Sequence, residues 1–245
     1  MTAKKHQVHN LIILDESGSM ESIKPTIVNG FNELVQSIKG IQDEFTEQEH
    51  FISIVSFNGF GTKLMHFMDP VSKLGEINAA DYKPNSMTPL FDAIGFSLSK
   101  LKQVLETQSN YNVLVTILTD GEENASKEYT GTVIKNLIDT LSDGNWTFTY
   151  IGTDHDIEKM ATNLSIKNTM SFEKNESGIH SMFEKEYESR RRYSANVNAK
   201  RNFKDNYFNE EEIIKPIEND PKTSPNTIKK VSLWNKIIGK SKRSY

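Results

Sequence analysis

One short run concentrates oxygen donors: Asp15-Glu16-Ser17-Gly18-Ser19. It sets a carboxylate and two hydroxyls on alternate positions, and Gly18 lets the backbone bend between them. Hard oxygen donors with no histidine or cysteine beside them suit magnesium, manganese or calcium rather than zinc. The same run also reads as a helix-capping turn, since Asp and Ser are preferred N-cap residues. Two other segments carry similar groups. In Ser86-Met87-Thr88-Pro89-Leu90, Thr88 stands before a proline that opens a helical pattern, where its simplest role is an N-cap. Thr119-Asp120-Gly121-Glu122-Glu123 follows an apolar run, where an Asp-Gly pair ordinarily makes a turn. Each local reading suffices alone. A common metal site requires all three segments to meet at one end of one sheet.

The elements that would position them alternate in type. Val8 to Leu14 is a nearly continuous apolar run and reads as a buried strand. A helix follows with Ile27, Phe31, Leu34, Ile38 and Ile41 on one face, Pro25 in its first turn and Gly40 near its end. Phe51–Phe57 and Lys63–Met68 read as strands two and three. The link between them, 58–62, is too short for a parallel crossover, so the third strand is expected to be antiparallel and at an edge. A second helix carries Leu90, Ile94, Leu98, Leu101 and Leu105, and Val113–Leu118 reads as a central strand. Helix three presents Val133, Leu137 and Leu141. Trp146–Ile151 is strand five, Ile157, Met160 and Leu164 mark a short helix, Lys167–Phe172 is strand six, and a long polar helix covers Ser177 to about Lys200. This order predicts an α/β, doubly wound, mostly parallel six-stranded sheet with one antiparallel edge strand and helices on both faces. Such sheets bind ligands at the carboxyl ends of central strands, where strand order reverses.

Asp15-x-Ser17-x-Ser19, then Thr88, then Asp120, in that order and at those strand ends, resembles the metal-ion-dependent adhesion site of von Willebrand factor A domains. Thr88-Pro89-Leu90-Phe91-Asp92-Ala93-Ile94 and Leu118-Thr119-Asp120-Gly121 are similar to the bacterial members, and the resemblance covers roughly residues 8 to 200. It implies that Ser17 and Ser19 ligate the metal through their hydroxyls and that Thr88 joins them in the ligand-bound arrangement. It implies that Asp15 and Asp120 act mainly through bound water and by accepting hydrogen bonds. Magnesium takes octahedral oxygen coordination at about 2.0–2.1 Å, with manganese or calcium as substitutes. Neutral hydroxyls leave such a cation under-neutralised, so a partner's Asp or Glu is the expected anchor. Related stand-alone cytoplasmic domains accompany ATPases, or kinase and phosphatase pairs, in stress-response and defence systems. Some tellurium-resistance relatives carry a cysteine-rich zinc tail, and this chain has no cysteine.

The rest of the sequence sets limits. The 245 residues hold 36% hydrophobic and 25% charged side chains, enough for one large domain and a tail. The net charge of −4 gives no reason to expect nucleic acid. The absence of cysteine rules out disulfides and thiolate zinc sites and fits a reducing compartment. With no signal-peptide core and no run of roughly 20 apolar residues, the expected location is cytoplasmic. Residues 1–204 read as the domain and 205–226, with Glu210, Glu211, Glu212, Pro216, Pro221 and Pro225, as an acidic linker. Residues 227–245 carry six basic residues and no acid, which leaves −10 on the preceding chain. Val231, Trp234 and Ile238 share one helical face of this tail, which could dock on a partner or an anionic membrane or stay disordered. A metal hydrolase would need a general base, for which Glu16, Glu122, Glu123 and His155, flanked by Asp154 and Asp156, are the candidates. No Ser-His-Asp elbow or phosphate-binding glycine loop is present, and the expectation is binding rather than catalysis. Arg190-Arg191-Arg192, with Lys200, Arg201 and Lys204, reads as a solvated basic helix face.

Overall fold

The computed structural model describes residues 4–153, 157–201 and 204–209. Six strands form one sheet in the order β3-β2-β1-β4-β5-β6. They are β1 (His6–Asp15), β2 (Gln48–Asn58), β3 (Gly61–Pro70), β4 (Tyr111–Leu118), β5 (Trp146–Gly152) and β6 (Asn168–Ser171). All neighbours pair parallel except β2 and β3, which pair antiparallel at the sheet edge. The two-residue link Gly59-Phe60 enforces that hairpin, as the short connection predicts.

Among the described residues five α-helices cover the sheet: α1 (Lys24–Glu44), α2 (Leu90–Leu105), α3 (Gly131–Ser142), α4 (Ile157–Asn163) and α5 (Glu176–Asn198). The alternation within β1 divides the core. Leu11 and Ile13 face α2, α3 and α4, while Ile12 and Leu14 face α1 and α5. Burial on both faces explains the continuous apolar run of β1. The strand order reverses beside β1: the chain moves outward from β1 to β2 and β3, then returns to β4 on the other side. The carboxyl ends of β1 and β4 therefore flank the crevice where such sheets bind ligands.

Two expectations need correction. Helix α3 buries Ile134, Ile138 and Leu141, while Val133 is 49% exposed and Leu137 packs only partly. Its sequence offers two adjacent apolar stripes at i, i+4 spacing, and spacing alone does not choose between them. Arg190 is not on a solvated face. It is 1% exposed and lies between α5 and the sheet. Its guanidinium donates to Asn10 Oδ1 at 2.6 Å, Thr116 Oγ1 at 2.9 Å and Glu186 Oε1 at 2.5 Å. Arg191 pairs with Glu44 on α1, and Arg192 donates to Ser189. A charge run on a polar helix looks the same whether or not one of its members points inward. The chain keeps packing past Lys204. Tyr207 is buried and its N–H donates to Asn168 Oδ1 at 3.0 Å. The acidic linker from Glu210 and the basic tail 227–245 lie outside the described residues.

The buried Glu186–Arg190 pair gives a test. Arg190→Met strands the Glu186 carboxylate and should cost about 3–5 kcal/mol in urea unfolding. Adding Glu186→Leu should recover more than half of that loss. A cost below about 1 kcal/mol for the single variant would show that the pair is not desolvated in solution.

Candidate functional site

The parallel register of β1 and β4 sets Leu14 beside Leu118, which brings the next residues, Asp15 and Thr119, together. Asp15 has 0% exposure. Its Oδ1 accepts from the Ser17 backbone N–H at 2.7 Å, an Asx turn that bends the chain out of β1. Its Oδ2 accepts from Thr119 Oγ1 at 2.6 Å. Ser17 then starts a 3-10 turn, Gly18–Ile23, but its side chain makes no cap hydrogen bond. Its hydroxyl lies 3.1 Å from Ser19 Oγ instead, and Ser19 Oγ donates to Asp120 Oδ1 at 2.6 Å. Ser19 is exposed, whereas Ser17 and Asp120 are buried, so Ser19 stands at the mouth of the cluster.

Thr88 reaches the same cluster from the loop before α2. It does not cap that helix, whose N-cap is Pro89, without a side-chain hydrogen bond. Its backbone is clamped instead. Thr88 N–H donates to Asn124 Oδ1 at 2.9 Å, and Asn124 N–H donates to Thr88 O at 3.2 Å. Gly121 eases a close approach here. A Cβ on it would lie 3.1 Å from Thr88 Oγ1 and 3.7 Å from Asp15 Oδ2. The Thr88 hydroxyl and the Asp15 carboxylate thus both border Gly121. Ser86, two residues before Thr88, lies in the left-handed region at φ 67°, and its carbonyl accepts from Gly18 N–H at 3.0 Å. This contact ties the Thr88 loop to the Ser17–Ser19 turn.

Around these five residues, the loops are held by further carboxylates. Asp92 accepts from the backbone N–H groups of Lys127, Glu128 and Tyr129. Glu123 accepts from Phe91, Ala125 and Ser126 N–H. Glu16 accepts from Lys83 N–H, and Tyr82 Oη donates to Asp15 O at 2.5 Å. Two of the candidate general bases, Glu16 and Glu123, are therefore used to fix backbone. Asp154, His155 and Asp156 lie outside the described residues. His9 and His50 are core residues: burial holds them neutral, lowering His9 to about 4 and His50 to about 3.

The donor set is suited to a hard cation. Among the described residues no group of three or more His, Cys, Asp or Glu could hold a metal, so any site here must use hydroxyls. A serine hydroxyl that donates its proton to a carboxylate keeps its lone pairs free for a cation. Ser19 is arranged in that way against Asp120. The cluster sits on a surface rim, not in a deep cleft. A concavity of about 900 Å³ lies at the opposite strand ends, between Trp146, Asn168 and Lys204. A small pocket of about 120 Å³ lies beside Gly121 and Tyr150.

Sequence spacing singled out the five candidate residues that the structure brings together but gave no role to Thr119, Tyr82, Asn124 or Lys174. Thr119 could have been found from the strand register. Tyr82 and Asn124 come from aperiodic loops. Lys174, in the segment between β6 and α5, forms an ion pair with Asp120 Oδ2 across a sequence distance that carries no local signal. That contact is electrostatic without hydrogen-bond geometry.

Burial is the main cause that raises the Asp15 carboxyl to about 6, and nearby Asp120 adds to it. Hydrogen bonds from Thr119 and Ser17 oppose the shift. The folded chain thus keeps its proton up to about pH 6, while the unfolded chain releases it near the ordinary aspartate value of 3.8. The folded state binds more protons in that window, so the metal-free fold loses stability as pH rises from about 4 to about 6. Asp15→Asn cannot ionise. In EDTA at pH 7 it should be more stable than wild type by about 1–3 kcal/mol in urea unfolding, with the gain shrinking toward pH 4. A less stable Asn variant at pH 7 would contradict the burial argument.

The sequence matches the family model of the von Willebrand factor type A domain over residues 11–185. No curated protein matches it. Among solved structures, the von Willebrand domain of the type V pili tip protein Mfa5 from Porphyromonas gingivalis is similar, with TM-score 0.51 and 11% identity over 82% of this chain and 98% of that one. The pilus adhesin SpaC from Lactobacillus rhamnosus GG has TM-score 0.51 and 12% identity over 79% of this chain and 31% of its own. Proximal thread matrix protein 1 from the mussel byssus has TM-score 0.50 and 13% identity over 74% and 45%. The chain spans less than half the length of the last two, and at these identities the likeness is one of fold. The family match itself runs from β1 into α5 and contains all five candidate donors. The chain belongs to the von Willebrand factor type A domain family.

Proposed function

We propose that this chain is a divalent-metal-dependent protein-binding module, an intracellular adaptor of the bacterial stand-alone type. Magnesium is the proposed ion, with manganese or calcium as substitutes. Asp15, Ser17, Ser19, Thr88 and Asp120 would hold it. The observation that carries this reading is the meeting of all five at one strand-end rim, with Ser19 donating to Asp120 and the Thr88 hydroxyl and Asp15 carboxylate both bordering Gly121.

When bound, the ion supplies a positive charge that neutral hydroxyls only partly offset, and a partner's Asp or Glu is attracted to it. The chain's own residues do the rest. Ser17, Ser19 and Thr88 offer lone pairs. Asp15 and Asp120 orient hydroxyls and balance charge from within. Asn124, Glu123 and Asp92 hold the loops rigid, so the donors need not be organised at the moment of binding. A rim outside any deep cleft suits a protein surface better than a small substrate. Von Willebrand A domains typically mediate protein–protein interaction or adhesion, and SpaC is named as a pilus adhesin. Binding is proposed over catalysis because Glu16 and Glu123 are committed to backbone N–H groups. The proposed setting is the cytoplasm, supported by the cysteine-free composition. The proposed partner belongs to an ATPase or a kinase and phosphatase system in stress response or defence. The basic tail 227–245 is proposed as a second contact, to another partner or an anionic membrane. No helix among the described residues is long and apolar enough to cross a membrane.

An affinity pull-down with the full chain tests the reading. Magnesium should recover specific partners that EDTA removes. Ser17→Ala/Ser19→Ala should lose them in magnesium, because the Asx turn survives while two ligating hydroxyls do not. Recovery of the same partners in all conditions would show that metal does not determine binding.

A further inference from the structure

Lys174 brings a positive charge of the chain's own into this cluster. Its ammonium pairs with Asp120 Oδ2. The Asp120 side chain is fully buried, and the Lys174 side chain is 35% exposed, so the contact is shielded at the carboxylate and open at the lysine. The other Asp120 oxygen takes the Ser19 proton. Both oxygens of one site carboxylate are therefore engaged, one of them by a cation.

The backbone that carries Lys174 is fixed on both sides. Phe172 is buried, and its N–H donates to Gly152 O at 2.9 Å. Asn175 caps α5 by accepting from Gly178 N–H at 2.8 Å, and its own N–H donates to Glu173 O at 2.8 Å. The pivot is rigid and the four-carbon stem is flexible. An ammonium on such a stem can leave Asp120 for solvent without moving the fold.

A divalent ion among Ser17, Ser19 and Asp120 would lie within a few ångströms of that ammonium. Two cations at this distance repel strongly at the effective dielectric of a half-buried site. We infer that Lys174 is a tethered competitor for the metal site: it neutralises Asp120 in the metal-free chain and must leave it when the divalent ion enters. This rests on the metal-binding reading above and adds the regulation of that site. The tether sets metal affinity below what the oxygen donors alone would give. It makes loading depend on the free metal concentration, and it releases one ammonium to the rim when loading occurs. Lysine suits this role because it is a mobile point charge, whereas arginine forms fixed, forked contacts.

Calorimetric titration of the full chain with magnesium chloride tests the inference, using wild type, Lys174→Met and Lys174→Gln. Met keeps the stem and Gln keeps polarity, and both remove the charge. Each variant should bind magnesium about tenfold more tightly than wild type. In EDTA each should melt at a lower temperature than wild type, because Asp120 has lost its counter-charge, and magnesium should close that gap. Equal or weaker magnesium binding by both variants, with wild type binding normally, overturns the tether and leaves the metal site standing. No magnesium binding by any of the three overturns the metal site, and the tether with it.

Discussion

A carboxylate buried at the end of the first strand is the constraint around which the site is organised. Asp15 has no exposed surface, yet burial of an acid is tolerated only when its oxygens find donors. The fold supplies two. One comes from the turn that Asp15 itself initiates, through Ser17 N–H, and the other from the neighbouring strand, through Thr119. The first sets the direction in which Ser17 and Ser19 leave the sheet. The second requires that β1 and β4 pair in one register only, since a slip of one residue would point Thr119 to the other face. The donors still leave the acid pushed up to about 6, so part of the burial cost is not offset by hydrogen bonds. A cation is the natural counter-charge for what remains.

Much of this was legible in the sequence, for reasons that can be named. The continuous apolar runs of β1 and β4 fixed two buried neighbouring strands, and the short Asn58–Thr62 link fixed the antiparallel edge. The five candidate residues stood out because their order and strand-end positions resemble those of a known metal site, and the structure brings them to one rim. What could not be read is equally specific. The inward turn of Arg190 depends on Asn10, Thr116 and Glu186 from three separate elements. The buried stripe of α3 depends on which of two similar faces the sheet accepts. Thr88 looked like a helix cap, and only the loop path shows its hydroxyl against Gly121 instead. Lys174 could not be paired with Asp120 without the packing of α5 against the sheet.

The two helical layers serve the rim differently. On one face, α2 starts beside Thr88 and its Asp92 gathers the loop after β4. On the other, α5 locks to the sheet through the Arg190 network and through Tyr193, Val197 and Tyr207. The first layer positions donors, and the second positions the segment that carries Lys174. Likeness to pilus proteins and a byssus protein at 11–13% identity is one of fold, and function on such a scaffold must be argued from the site itself.

The central claim is that a divalent ion seats among Asp15, Ser17, Ser19, Thr88 and Asp120. Paramagnetic broadening of backbone amide signals by substoichiometric manganese tests it most directly, because the effect falls steeply with distance from the ion. The account predicts that the amides of Ser17, Ser19, Thr88 and Gly121 broaden first and that magnesium restores them. Broadening centred on the acidic stretch Glu210, Glu211 and Glu212, or none at all, would contradict it.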